Sequence, residues 1–326
     1  MTFPSSRPRR LRTTPALRAL VAETVVRPSD LVAPLFVAEG RTAPVAISSL
    51  PGHVQHTHDS LRREVASLVE RGVRSVILFG VPEVKDELGS GAFDPQGVVQ
   101  VALRSLRQEF GDDLVLMADL CLDEYTSHGH CGVLTPDGRV DNDATVALYA
   151  RAALAQAEAG AAVVAPSGMM DGQVAAIRGE LERNGFVDTA ILAYSAKYAS
   201  ALYGPFRDAV GVTIAGGGDR KGYQQDPANR RESRREAMLD VAEGADMVMV
   251  KPAMTNLDVI SDVRAAVDVP VFAYHVSGEY AMVKAAAERG WIDGTATALE
   301  HMTSIRRAGA TGILTYFAGE LAEVLA

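Results

Sequence analysis

The chain has 326 residues, 48% of them hydrophobic and only 6% aromatic, with a formal net charge of −9. No apolar run approaches the roughly 18 to 20 residues needed to cross a bilayer, and a net negative chain lacks the clustered positive charge that phosphate binding needs, so membrane and nucleic acid are both excluded as partners. The basic stretch Arg7 to Arg12 is followed by no apolar segment of signal-peptide type, which predicts a cytoplasmic chain.

In chain order, residues 1–30 read as an arm ahead of a single large domain spanning 31–326. The first strand is Leu31 to Val37. His53, His56 and His58 follow in a turn and are expected to be solvated loop histidines. A helix over Ser60 to Arg71 leads to a strand over Ser75 to Gly80, and a helix over Gly97 to Phe110 leads to a strand over Leu114 to Leu120. The helix Ala144 to Ala159 precedes the strand Ala162 to Ser167, and Gly172 to Asn184 precedes Ala190 to Lys197. A long irregular segment, about 204–231 and centred on Gly216-Gly217-Gly218, reads as a lid because loops of that length in a compact domain usually carry function. The helix Ser233 to Glu243 then opens on the charged run Arg230 to Glu236, read as a solvated face. The strand Met247 to Lys251, the helix Asn256 to Val267, the strand Val269 to Val276, the helix Glu279 to Arg289 and the strand Gly312 to Phe317 complete the pattern. Eight strands alternating with helices predict an α/β fold, a closed (β/α)8 TIM-type barrel. The competing arrangement is an open doubly wound sheet, but no Gly-x-Gly-x-x-Gly follows the first strand.

The active site of such a barrel lies at the C-terminal ends of its strands. Those ends carry Asp119 and Cys121, Ser167, Lys197, Lys251, Ser277 and Tyr316. Lysine is scarce here: of 32 basic residues only Lys85, Lys197, Lys221, Lys251 and Lys284 are not arginine. Arginine stays protonated and forms no imine, so a lysine ending an apolar strand invites a chemical explanation. Lys197 and Lys251 end consecutive strands, where like charge and desolvation both favour the neutral amine that attacks carbonyls. A drop of about three units from a reference near 10.4 corresponds to roughly 4 kcal/mol. Both cysteines, Cys121 and Cys131, fall within Asp119 to Gly132 together with Asp123, His128 and His130, a composition that favours a thiolate-rich zinc site over two structural thiols. Arg207, Arg220 and Gln224 supply polar groups on the lid.

Over nearly its whole length the chain resembles the porphobilinogen synthase (5-aminolevulinate dehydratase) family. The resemblance rests on Asp119 to Gly132, Tyr194 to Ser200, Tyr203 to Arg207, Asp219 to Gln224, Met249 to Ala253 and Tyr274 to Tyr280, with Phe79 to Glu83 and Lys85 to Ser90 adding to it. It implies a condensation of two 5-aminolevulinate molecules to porphobilinogen with loss of two waters, in tetrapyrrole (heme) biosynthesis. Carried over by position, Lys251 would form a Schiff base with the first substrate and Lys197 would bind the second. Ser277 and Tyr316 would hold the first carboxylate; Arg207, Arg220 and Gln224 would hold the second; Asp119 and Ser167 would line the reacting centre. The resemblance also implies catalytic zinc on Cys121 and Cys131. Asp123 stands where some members have a third cysteine, and it or a water would complete the zinc's tetrahedron. A peripheral magnesium at Glu236, and a homo-octamer in which residues 1–30 wrap a neighbour, are further implications. Two other readings compete. A Schiff-base aldolase needs only one lysine and leaves the cysteine segment unexplained, and a silent zinc-binding scaffold has no use for both lysines.

Overall fold

The strand runs are apolar on successive residues, so each strand needs cover on both faces, which a parallel sheet wrapped by helices provides. In the computed structural model, which describes residues 2–215 and 218–325, ten strands form one sheet. They are β1 (Leu31–Ala38), β2 (Val45–Ala46), β3 (Val54–His56), β4 (Ser75–Val81), β5 (Val115–Leu120), β6 (Val163–Pro166), β7 (Ala190–Lys197), β8 (Met247–Lys251), β9 (Val271–His275) and β10 (Gly312–Thr315). The helices are α1 (Pro15–Leu20), α2 (His58–Glu70), α3 (Val98–Phe110), α4 (Asn142–Glu158), α5 (Gln173–Arg183), α6 (Gly204–Ala209), α7 (Arg231–Glu243), α8 (Leu257–Ala266), α9 (Ser277–Glu288), α10 (Gly294–Ala308) and α11 (Ala318–Leu325).

Strand β1 is buried along its whole length. It pairs in parallel with β4 from Val32↔Ser75 to Ala38↔Val81, and with β10 through Leu31↔Ile313 and Val32↔Leu314. The second ladder closes the sheet, and the barrel runs β1, β4, β5, β6, β7, β8, β9, β10 and back to β1. An open sheet has no such ladder, so the architecture is the closed, parallel (β/α)8 barrel. The short β2–β3 hairpin joins β1 at its C-terminal end through Phe36↔Gln55 and Val37↔His56.

Helices cover the sheet with apolar stripes at helical spacing. In α3 the stripe is Val98, Val99, Ala102, Leu103 and Leu106, positions three and four apart that share one face. Two features depart from the sequence pattern. The segment expected to be irregular from 204 onward begins with the helical turns of α6, while Gly216 and Gly217 lie outside the described residues. A helix without a strong apolar signal, α10, precedes β10; Asp293 caps it by accepting from Ala296 N at 2.9 Å, and Gly309 ends it in the left-handed region. Before β1, α1 and the turn Pro8–Arg12 bury no residue, and Phe3, Leu11, Leu20 and Val25 are exposed. Among the described residues no helix is long and apolar enough to cross a membrane.

Candidate active site

The two lysines meet through a defect in strand pairing. Leu192 and Ala193 of β7 face Met247 and Val248 of β8, but Ala196 then faces Val250, so β7 carries one extra residue. A bulge of this kind re-aims the strand end, and here it sets Lys197 directly opposite Lys251. Pro252 has no N–H to continue the ladder. Both lysines are buried, yet they respond in opposite directions. Burial pulls Lys251 down to about 7, with the charge of Lys197 adding to the effect. Burial also works against the charge on Lys197, but Cys131, Cys121 and Asp123 outweigh it and leave its pKa raised. The expectation that both amines would be neutral holds in direction for Lys251 alone. Lys197 Nζ donates to the Ser167 carbonyl.

Asp119 and Ser167 lie beside the pair. Asp119 Oδ2 accepts from Ser167 Oγ at 3.1 Å, and burial pushes its carboxyl up to about 6 against the pull of Lys197 and Lys251. Glu124, which the sequence reading passed over, is also buried, and its pKa is raised first by burial and then by Asp123 and Asp119. It lines a small inner cavity of about 20 Å³ with Asp119, Asp123, Ser167, Lys197, Tyr203, Phe206, Arg207, Arg220 and Lys251. Tyr203, Arg207 and Arg220 also line an outer cavity of about 480 Å³ that reaches Gln224. Ser277 and Tyr316 are not on the inner wall. Ser277 Oγ accepts from Phe206 N at 3.1 Å, and Tyr316 meets the Tyr274 hydroxyl at 3.1 Å.

Cys121, Asp123 and Cys131 form a compact buried group whose donor atoms all lie within 4.8 Å of one another, and both thiols are free. Two thiols and a carboxylate make a donor set that suits a tetrahedral cation with a fourth position open. Burial pushes Cys121 well up, whereas for Cys131 the neighbouring Cys121 thiol and Arg220 outweigh burial and bring it down. For Asp123, Arg220 and Lys197 outweigh burial and hold the carboxyl well below the usual range. Arg220 reaches Asp123 Oδ2 at 2.8 Å, the Gly129 carbonyl at 2.9 Å and Cys131 Sγ at 3.5 Å. Behind the group, the buried Tyr149 hydroxyl donates to the Cys131 carbonyl at 2.7 Å and lies 3.6 Å from Cys121 Sγ. His128 and His130 stand outside it; His130 Nδ1 meets the Tyr223 hydroxyl at 3.2 Å.

Glu236 lies elsewhere, on α7, in a polar cavity of about 930 Å³ shared with Asp171, Asp226 and Glu232. Burial raises its carboxyl, with Asp171 and Glu232 adding. The expectation for the turn histidines is overturned: His56 is buried and His53 half-buried, and desolvation lowers both to about 4. His53 Nε2 bonds the Tyr316 carbonyl at 3.0 Å with its ring edge-on to Tyr280 and Tyr316. Residues far along the chain exclude the solvent, which the local sequence does not reveal.

The family model described as delta-aminolevulinic acid dehydratase matches residues 5–324. The chain belongs to the delta-aminolevulinic acid dehydratase family. The family's activity is that of a hydro-lyase that forms porphobilinogen, and this chain shares it. A delta-aminolevulinic acid dehydratase of Streptomyces coelicolor is 59% identical over 99% of this chain and 98% of its own length. One from Mycobacterium tuberculosis is 58% identical over 98% of each chain. Among solved structures, the delta-aminolevulinic acid dehydratase (porphobilinogen synthase) of Toxoplasma gondii, in complex with the reaction product porphobilinogen, superposes with a TM-score of 0.96 at 46% identity, covering 98% of this chain and 91% of that one.

Proposed function

We propose that this dehydratase joins two molecules of 5-aminolevulinate through the buried pair Lys251 and Lys197. The observation that carries the reading is the register Lys197↔Lys251 together with the lowering of Lys251 alone to about 7. A substantial neutral fraction at neutral pH makes Lys251 the nucleophile that attacks the ketone of the first substrate. Lys197, charged and held against the Ser167 carbonyl, receives the second. Ser277 and Tyr316 bind the first carboxylate with hydroxyl donors. Arg207, Arg220 and Gln224 bind the second, for which guanidinium forks are the stronger partners. Asp119, with Ser167 on its Oδ2, exchanges protons beside the bond-forming atoms.

Cys121, Asp123 and Cys131 hold zinc in this reading. Zinc held by these three residues would supply Lewis-acid chemistry at the site. A magnesium ion at Glu236, a homo-octamer whose 1–30 arms wrap neighbouring barrels, a lid over 204–231 and a cytoplasmic location complete the proposal. The exposed apolar residues Phe3, Leu11 and Leu20 support the arm contact.

The test is reduction with borohydride in the presence of 5-aminolevulinate. The expected result is an adduct on the peptide carrying Lys251, absent from Lys251→Met. A protein that makes porphobilinogen with no adduct at Lys251 would rule out the assigned role. A pyrrole assay with and without a chelator addresses the metal separately, and activity insensitive to chelation would remove zinc from the catalytic step.

A further inference from the structure

The surroundings of Lys251 differ in kind from those of Lys197. Lys197 has a carbonyl acceptor in Ser167 and two thiols and a carboxylate nearby. Lys251 Nζ instead lies 4.4 Å from the ring centroid of Tyr274, 5.1 Å from Tyr203, 5.2 Å from Tyr194 and 5.3 Å from Phe206. Among the described residues it has no hydrogen-bond or ion-pair partner. Among the described residues, the one ring near Lys197 Nζ is that of Tyr194, at 5.7 Å. We infer that Tyr194, Tyr203, Phe206 and Tyr274 form an aromatic cage that stabilises the iminium cation at Lys251, making these rings catalytic groups for imine formation.

Valence chemistry favours the iminium over the ammonium in such a cage. An ammonium has three N–H donors and demands acceptors, which ring faces supply poorly. In forming the imine, the neutral amine, the ketone and one proton from solvent give C=N–H⁺ and water. Relative to the neutral amine, the nitrogen gives up one of its two N–H bonds and gains a double bond to carbon, so one N–H remains, and the positive charge is the one the proton brings. The positive charge persists, spread over nitrogen and carbon, and ring faces attract it through their quadrupoles. They cannot take the proton back as a carboxylate could. Interactions that strengthen only once the charge has moved onto the intermediate are those that accelerate a reaction.

The cage is held in place by other parts of the barrel. The Tyr203 hydroxyl donates to the Tyr198 carbonyl at 2.7 Å, and the Tyr274 hydroxyl meets that of Tyr316 at 3.1 Å. Phe206 is fixed by its N–H on Ser277 Oγ and by an edge-on contact with Phe79 at 5.0 Å. Ordinary core packing would account for rings in a barrel, but packing is indifferent to the electron density of a ring, whereas a cation is not.

The inference rests on the Schiff-base reading above, and the experiment separates the two. Site-specific replacement of Phe206 by mono-, di- and trifluorophenylalanine keeps the ring's shape and drains its face of negative charge. The concentration of 5-aminolevulinate that gives half-maximal borohydride-trapped adduct on Lys251 is measured in the full-length protein at about pH 8, where the free amine is mostly neutral. The expected result is a stepwise rise, reaching about three- to tenfold for the trifluoro variant, the size of one desolvated cation–π contact. A flat series, with adduct formed throughout, would overturn the cage alone. No adduct in the unsubstituted protein would overturn the Schiff-base reading and the cage with it.

Discussion

Lys251 and Lys197 occupy one level of the barrel, and what separates them is the company each keeps. Burial lowers Lys251 to about 7, and two consequences follow at this single residue. The neutral amine is the reactive form, so the rate of adduct formation at limiting substrate falls about tenfold per pH unit below pH 7 and flattens above it; a limb centred near the ordinary lysine value would refute the assignment. The second consequence concerns stability. Between about 7 and the ordinary 10.5, the unfolded chain binds a proton that the folded amine does not. Stability therefore rises with pH across that window, and the cost of burying Lys251 is nearly full at pH 7. That cost is at most about 5 kcal/mol. Replacing Lys251 by Met removes it with little change in volume, so the urea midpoint at pH 7 should rise as activity vanishes, a trade of stability for function. An unchanged or lower midpoint would show that the site does not hold the amine under this strain.

Elements were readable in the sequence where local pattern decides them. The runs Ala190 to Lys197 and Met247 to Lys251 coincide with β7 and β8, because continuous apolar runs between turn signals have few other solutions in an α/β chain. What lies between elements was not readable. The bulge in β7 that sets Lys197 against Lys251 depends on register with β8, which no run of residues encodes alone. The burial of His53 comes from Tyr280 and Tyr316 near the other end of the chain, and the aromatic surroundings of Lys251 come from Tyr194, Tyr203, Phe206 and Tyr274 on separate elements. Tyr149 shows the same at the metal site: it looks like one more core residue of α4, yet its hydroxyl braces Cys131 and lies beside Cys121. Gly168, at the β6–α5 turn, is the reason it fits, since a Cβ there would fall inside the Tyr149 hydroxyl. Gly168→Ala should lower stability by about 1–3 kcal/mol through overpacking and weaken metal binding in a chelator competition, because the displaced hydroxyl no longer supports the cysteine segment. Loss of stability with unchanged metal affinity would mean that Tyr149 packs without positioning.

At the scale of the whole molecule, Arg220 joins two regions that lie 89 to 91 residues apart along the chain at Cys131 and Gly129. It extends from the proposed lid onto Asp123, Cys131 and Gly129, and both partners of the ion pair are nearly inaccessible, at 11% and 4% side-chain exposure. Removing one member of a buried pair leaves the other charge uncompensated, at a cost of about 3–5 kcal/mol. For Arg220 the escape is local, because its segment lies outside the barrel strands and can turn its guanidinium into water without unfolding them. Local opening of this kind is set by the few contacts that hold a segment down. Asp123→Ala should therefore raise the rate of proteolytic cleavage within 218–231 by at least about tenfold, converting part of that cost into a shifted opening equilibrium, while the barrel's global unfolding midpoint moves much less. Limited proteolysis read by mass spectrometry, beside a urea titration of the same protein, distinguishes the outcomes. Equal cleavage in both proteins would mean that the segment is held by its other contacts. A collapse of the global midpoint would place the ion pair among the interactions that hold the barrel itself.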